Sequence, residues 1–314
     1  MHITNSLISM DFIHDFVADC QARGLTVHTI ETYQSCCRDF LKYQPDPSAV
    51  GLQELRGYLG ELRARSLAGS TLKGYFASLS ALYEFMVFSG YMAVNPVISF
   101  RRRYLRIKEQ QNGENTRQLL SVQQVQLLLS AAGLREKAII MTLAKTGMRR
   151  GELHSLRVGD LNLKDCTIRI APKAKRSNRL TFIDEELRDI MEVYLSWRER
   201  RAKTSWLWIS NHGGRIHKDV PNRILAGLGS SLGLHQKEGP LCEKLTCHCM
   251  RHFFTTHLFR KGMNIEHIKW LRGDAMRKEA WQMYNHIDIE EVRQEYLRRI
   301  PKLISYDEKL ARYL

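Results

Sequence analysis

Residues 245–286 read LTCHCMRHFFTTHLFRKGMNIEHIKWLRGDAMRKEAWQMYNH. At about 3.6 residues per turn, His248, Arg251, His252 and Thr255 share one helical face, and Met250, Phe253, Phe254 and His257 take the other. The result is an amphipathic helix with a polar, cationic front. Gly262 suits its end and Asn264 the cap of the next helix. Tyr284 follows one short segment later, with His286 two residues beyond. An arginine and a histidine one helical turn apart can hold two oxygens of one phosphate, and a nearby tyrosine can attack the phosphorus.

The whole chain has 314 residues, enough for two domains that each bury a core. Its formal net charge of +15 favours a polyanionic partner, nucleic acid or an anionic membrane face. No apolar run is long enough to span a bilayer, and residues 1–10 lack a basic region followed by an apolar core, so secretion is not expected. The 7 cysteines, an odd number with Cys36 and Cys37 adjacent, read as reduced, space-filling thiols. Cys242, Cys247, His248, Cys249 and His252 are metal-type residues without paired spacing. Cys247 and Cys249 point to different faces of one helix, so no zinc site is expected.

Residues 11–100 read as all-helical. Ile30, Tyr33, Cys37, Phe40 and Leu41 form one stripe, with Thr29 as its candidate cap and Pro45 and Pro47 closing it. Leu52, Leu55, Tyr58, Leu59 and Leu62 form a second. Ser70 precedes a third, Leu72 to Met86, which Gly90 and Pro96 end. Residues 1–100 carry 7 Lys/Arg against 9 Asp/Glu, and residues 101–314 carry 41 against 24. Within the acidic part, Arg56, Arg63, Arg65 and Lys73 gather as a candidate phosphate-contacting patch, or equally a solvated face.

Residues 101–117 read as a polar linker whose Arg101, Arg102, Arg103, Arg106 and Lys108 suit a strap along a duplex backbone. Helices resume after 118 and run into Lys145-Thr146-Gly147, where Gly147 permits a sharp reversal. Arg149 opens a new helix, and Glu152, one turn on, can hold its guanidinium. Residues 166–171 and 179–183 alternate like strands, with a cationic hairpin tip between them bearing Lys173, Lys175 and Arg176. Such a tip can reach into a groove beside a phosphate. Residues 185–203 read helical, and Val292, Tyr296 and Ile300 mark a short tail helix before Pro301. A Gly-rich phosphate cradle, a Ser-His-Asp signature, an H-E-x-x-H motif and a magnesium-type acidic cluster are all missing from the sequence.

Thr146-Gly147-Met148-Arg149 with Glu152, Lys173 in a hairpin, His248-x-x-Arg251, and Tyr284 with His286, in this order, resemble the tyrosine recombinases (phage-type integrases and chromosome-dimer resolvases). The resemblance covers nearly the whole chain. It implies a mainly α fold with a small antiparallel β-sheet. A helical N-terminal core-binding, DNA-binding domain (1–100) and a basic linker (101–117) would precede an α+β catalytic domain with a C-terminal tail helix (118–314). It implies a site-specific recombinase acting on double-stranded DNA, tetrameric on DNA with a free monomer left open, cytoplasmic and nucleoid-associated, using no membrane, metal or cofactor. Arg149 and Arg251 would neutralise the non-bridging oxygens of the scissile phosphate. Tyr284 would attack and form a 3′-phosphotyrosine link. His248 would help the proton leave, Lys173 would be the acid for the departing 5′-hydroxyl, and Glu152 and His286 would support the site.

Competing residues are Arg150 beside Arg149, Lys175 beside Lys173, and Tyr296, Tyr306 and Tyr313 against Tyr284. The T-G-x-R spacing favours Arg149, and the 24 residues from Arg149 favour Lys173, with Lys175 still open as the acid. One departure stands out. The family often reads L-G-H or L-G-W ahead of the nucleophile, whereas this chain has Leu271-Arg272-Gly273-Asp274, a form similar to archaeal members. Gly273 therefore stands where an imidazole or indole would donate to the phosphate, and Arg272 and His286 are both open as replacements. Two other functions share these residues: a type IB topoisomerase, and a DNA-binding protein weakened in catalysis.

Overall fold

The structure, a computed structural model, describes residues 2–105, 116–171, 180–274 and 287–304. The chain divides into two compact units, residues 1–110 and 111–314. Among the described residues, no helix is long and apolar enough to cross a membrane.

The first unit is helical: α1 (His2–Ala22), α2 (Val27–Tyr43), α3 (Leu52–Ala64), α4 (Gly69–Phe88) and α5 (Pro96–Tyr104). Its core is aromatic, with Phe16, Phe40, Tyr58, Phe76, Tyr83 and Phe100 buried together. The polar ends of the buried tyrosines are satisfied, Tyr83 donating to the Pro47 carbonyl at 2.9 Å and Tyr58 to Asp39 Oδ2 at 2.9 Å. The stripes expected on α2, α3 and α4 are the buried faces, except that Leu52 opens α3 exposed.

Two local expectations are corrected. Thr26, not Thr29, caps α2, its hydroxyl accepting from the Thr29 N–H at 3.2 Å. Pro96 does not end a helix but starts one: Asn95 caps the Val97 N–H at 2.9 Å, and proline at the first helical position loses no hydrogen bond. Arg101, Arg102 and Arg103 therefore lie in the last turn of α5, where cations oppose the helix dipole, rather than in an irregular linker. Arg106 and Lys108 lie outside the described residues.

The second unit runs α6 (Val122–Ser130), α7 (Leu134–Thr146), α8 (Arg150–His154), β1 (Leu161–Asn162), β2 (Thr167–Arg169), β3 (Leu180–Phe182), α9 (Glu185–Glu199), α10 (Val220–Ser231), α11 (Cys247–Arg260), α12 (Ile265–Arg272) and α13 (Ile289–Arg299). The expected pair of strands forms antiparallel with Ile168 opposite Thr181, and β1 adds an edge strand of two residues that periodicity cannot reveal. Helix α7 is buried along its whole second half and packs against α6, α9, α10 and α11. A satellite core of Phe182, Phe254, Leu258, Ile268, Leu271, Val292 and Tyr296 joins α11, α12 and α13 to β3. His267 on α12 and Glu295 on α13 pair at 2.6 Å beside it.

The chain beyond α13 is fastened to the base of α7. Lys145, fully buried, bonds Asp184 Oδ2 at 2.5 Å, Glu186 Oε2 at 2.6 Å and the Pro301 carbonyl at 3.0 Å. Glu186 in turn accepts from the N–H groups of Leu303 and Ile304, each at 2.9 Å. These acceptors offset the cost of taking the ammonium out of water.

The turn after α7 depends on Gly147. It caps the helix in the left-handed region (φ 58°), and a Cβ there would sit 2.4 Å from the Phe254 ring. Gly147→Ala combines left-handed strain of about 1–2 kcal/mol with a core clash. We expect urea denaturation to show a loss of at least about 2 kcal/mol. An unchanged midpoint would mean that α7 and α11 separate freely.

Candidate active site

Helix α7 ends at Gly147, and Arg149 follows the reversal there. Arg149 caps α8 and shares a reciprocal box with Glu152, whose Oε2 accepts the Arg149 N–H at 2.7 Å while its Oε1 accepts Nη1 at 3.1 Å. Glu152 is buried, so this carboxylate is part of the frame. Arg251 projects from α11 and is only 4% exposed. Its Nη1 donates to the Gly147 carbonyl at 2.6 Å, and its Nη2 donates to the Arg272 carbonyl at 3.1 Å. The cationic front expected for α11 is therefore partly internal, with Arg251 sunk beneath it.

Both guanidiniums meet at one atom. Asp274 Oδ1 accepts from Arg149 Nη2 at 2.9 Å and from Arg251 Nη2 at 2.8 Å. Gly273 makes this possible. It ends α12 in the left-handed region (φ 61°), with its own N–H bonded to the Trp270 carbonyl and the Asp274 N–H bonded to the Lys269 carbonyl. A bulky side chain at that φ would be strained, so the glycine serves the turn rather than replacing a donor.

A cavity of about 250 Å³ opens beside the pair, lined by Arg117, Arg149, Arg150, Arg251 and His248 among others. Burial, and then the positive charges of Arg117, His252, Arg251 and Arg272, hold the His248 imidazole below its ordinary 6.5. Burial and the neighbouring Arg149 and Arg272 push Arg251 down to about 10, against the pull of Asp274 and Glu152. Arg251 therefore stays charged at neutral pH, and His248 is a neutral base. The N-terminus of α11 lies at the same cavity, and its Cys247 N–H is held by Asn222 Oδ1 at 3.0 Å.

The phage integrase family profile matches residues 112–291, and the family's N-terminal SAM-like domain matches residues 13–90. The chain belongs to the phage integrase family. Tyrosine recombinase XerD of Listeria monocytogenes is 25% identical to this family member over 300 residues, covering 90% of this chain and 94% of its own. Tyrosine recombinase XerC of Thermodesulfovibrio yellowstonii is 25% identical over 295 residues, covering 89% and 92%. A lambda integrase dimer bound to a COC' core site shares the fold at 14% identity and a TM-score of 0.67, covering 89% of this chain and 98% of that one. The Tn1549 transposon integrase in complex with transposon right end DNA does so at 18% identity and 0.68, covering 91% and 98%.

Of the expected site residues in this integrase-family chain, the structure brings together Arg149, Arg251, Glu152 and His248. Lys173, Lys175, Arg176, Tyr284 and His286 lie outside the described residues, as do Tyr306 and Tyr313. Arg150, the rival of Arg149, pairs with Asp219 at 2.6 Å instead. Tyr296, a rival of Tyr284, is fully buried and donates to the Lys145 carbonyl at 2.9 Å, which removes it as a nucleophile. In the first unit Arg56, Arg63, Arg65 and Lys73 are exposed. Arg65 is already paired with Asp39 and Glu61, and Arg56 with the Tyr104 hydroxyl. Asp274, Arg117 and Asn222 are site residues that sequence reasoning misses, and only Asp274 stands in a motif that invites attention.

Glu152→Ala removes the cap of α8 and the brace of Arg149. Unfolding in urea should show a loss of about 1–3 kcal/mol. No loss would mean that Arg149 is oriented by Asp274 alone.

Proposed function

We propose that this chain is a site-specific DNA recombinase that cuts and rejoins strands through a covalent 3′-phosphotyrosine intermediate. One observation carries the reading: Arg149 and Arg251, from separate helices, both donate to a single anionic oxygen within 2.9 Å. Two forks placed on one oxyanion suit the non-bridging oxygens of a phosphodiester, whose negative charge grows as the fifth bond to phosphorus forms. Guanidiniums remain charged and donate in fixed geometry, so they can supply this stabilisation without a metal.

The remaining roles come from the sequence match. Tyr284 attacks the phosphorus and becomes its ester, while the 5′-oxygen leaves and takes a proton from Lys173, or from Lys175 if that is the acid. A phenol ordinarily holds its proton up to about 10, so a base is needed. His248, neutral at pH 7 and lining the same cavity, is that base. His286 supports the site from beside Tyr284. The phosphotyrosine keeps the energy of the broken bond, so a hydroxyl from a second strand reseals it without ATP. Two duplexes exchanging strands call for four active sites, hence a homotetramer on DNA acting at the nucleoid. Within the first unit, exposed Arg63 and Lys73 are the cations we assign to backbone contact. Arg56, Arg65 and the α5 arginines Arg101, Arg102 and Arg103 add charge at its surface.

A nicked suicide duplex carrying the chain's own recombination site should trap a covalent protein–DNA complex, visible as a slow band after denaturation. Tyr284→Phe should abolish it, and persistence of the band in that variant would refute the nucleophile. The rate of trapping should fall as pH is lowered, with its midpoint below 6.5, as His248 gains a proton and ceases to be a base. A midpoint above 6.5 would exclude His248 from that role.

A further inference from the structure

Asp274 does more than bridge Arg149 and Arg251. Its second oxygen, Oδ2, lies 3.1 Å from Arg272 Nε, so three guanidiniums converge on one carboxylate. The two carboxylates of the cluster are not equivalent. Glu152 is buried and also accepts the Arg149 backbone N–H, which ties it to the frame. Asp274 is 26% exposed and sits on the first residue past the glycine that ends α12, so its side chain can turn outward without disturbing a helix.

We propose that Asp274 is a resident counter-anion in a three-arginine phosphate seat, that Arg272 is the third guanidinium of that seat, and that a phosphodiester binds there by exchange with the carboxylate. The proposal rests on the recombinase reading above, and it adds an occupant and a donor to the site. Charge supports it. With Asp274 in place, its two oxygens occupy the point where the three guanidiniums meet, and a further anion would have to displace them. With Asp274 turned out, the meeting point of the three guanidiniums is open to the negative charge that grows on pentacovalent phosphorus. The crowding is real: burial, then Arg149 and Arg272, already disfavour the charged form of Arg251, so the empty cluster would be costly without an anion. The free protein thus keeps its arginines assembled and shielded from stray anions until a strand brings a phosphate with further contacts to either side.

The test is titration of the full chain with inorganic phosphate at low ionic strength, followed by calorimetry. Binding at the seat is defined as the part lost in Arg149→Gln. Asp274→Asn should bind phosphate there at least tenfold more tightly than the unaltered chain, and adding Arg272→Gln to that variant should remove the gain. Equal or weaker binding by Asp274→Asn overturns the proposal, as does a gain that survives Arg272→Gln. Should Asp274→Asn and Asp274→Ser both fail to fold, a crystal of the unaltered chain grown in phosphate decides. An ion between the three arginines with Asp274 turned out supports the exchange, and Asp274 still paired with no ion there overturns it. The titration contains no DNA and needs no tyrosine, so its result is separate from the recombinase reading, which fails if the unaltered chain forms no covalent adduct.

Discussion

The structure is built around holding two like charges within hydrogen-bond reach of one oxygen. Arg149 and Arg251 repel one another, and nothing in an extended chain would bring them together. Each is therefore braced by its own set of groups. Glu152 holds Arg149 from within its own first turn, and the Gly147 carbonyl holds Arg251 from the end of α7. The same glycine that turns the chain also offers its carbonyl, so the reversal and the clamp are one feature. Phe254, one turn along α11 from Arg251, fills the space that a side chain at position 147 would need. Packing and charge placement are thereby locked to each other.

The satellite core plays the matching part on the other side. Ile268 and Leu271 seat α12 against α11 and α13, and the His267–Glu295 pair fixes its angle. With α12 set, its left-handed C-terminus delivers the Arg272 carbonyl and the Asp274 carboxylate to Arg251. A buried arginine keeps its charge when every direction offers an acceptor, and Arg251 meets a backbone carbonyl on two sides and a carboxylate on a third. Its lowered proton affinity records what remains of the burial penalty.

Much of this is legible in the residues. Helical spacing reveals the faces of α2 to α4 and α11, and small turn residues mark Gly147, Gly262 and Asn264, because these signals depend only on near neighbours. The Arg149–Glu152 brace is visible for the same reason. The hidden features depend on distant contacts or on context. Pro96 reads as a stop or a start according to whether Asn95 caps a helix beginning there. Strand β1 is too short to show alternation. The meeting of Arg149 with Arg251 cannot come from spacing, since they lie on different helices far apart in the chain; only family resemblance anticipates it. Position 273 reads as a missing donor when its glycine is compared with the imidazole or indole of relatives. The turn geometry shows instead why glycine stands there and where the next residue points.

The fastening of residues 301–304 to Lys145 has a consequence for protein engineering. Removing the chain from Pro301 onward would strip a carbonyl from a fully buried ammonium and two amide partners from Glu186, directly below the turn that carries Gly147. Shortened versions of this enzyme should therefore keep Ile304, and reporter fusions belong downstream of it, where they leave that internal ionic knot undisturbed.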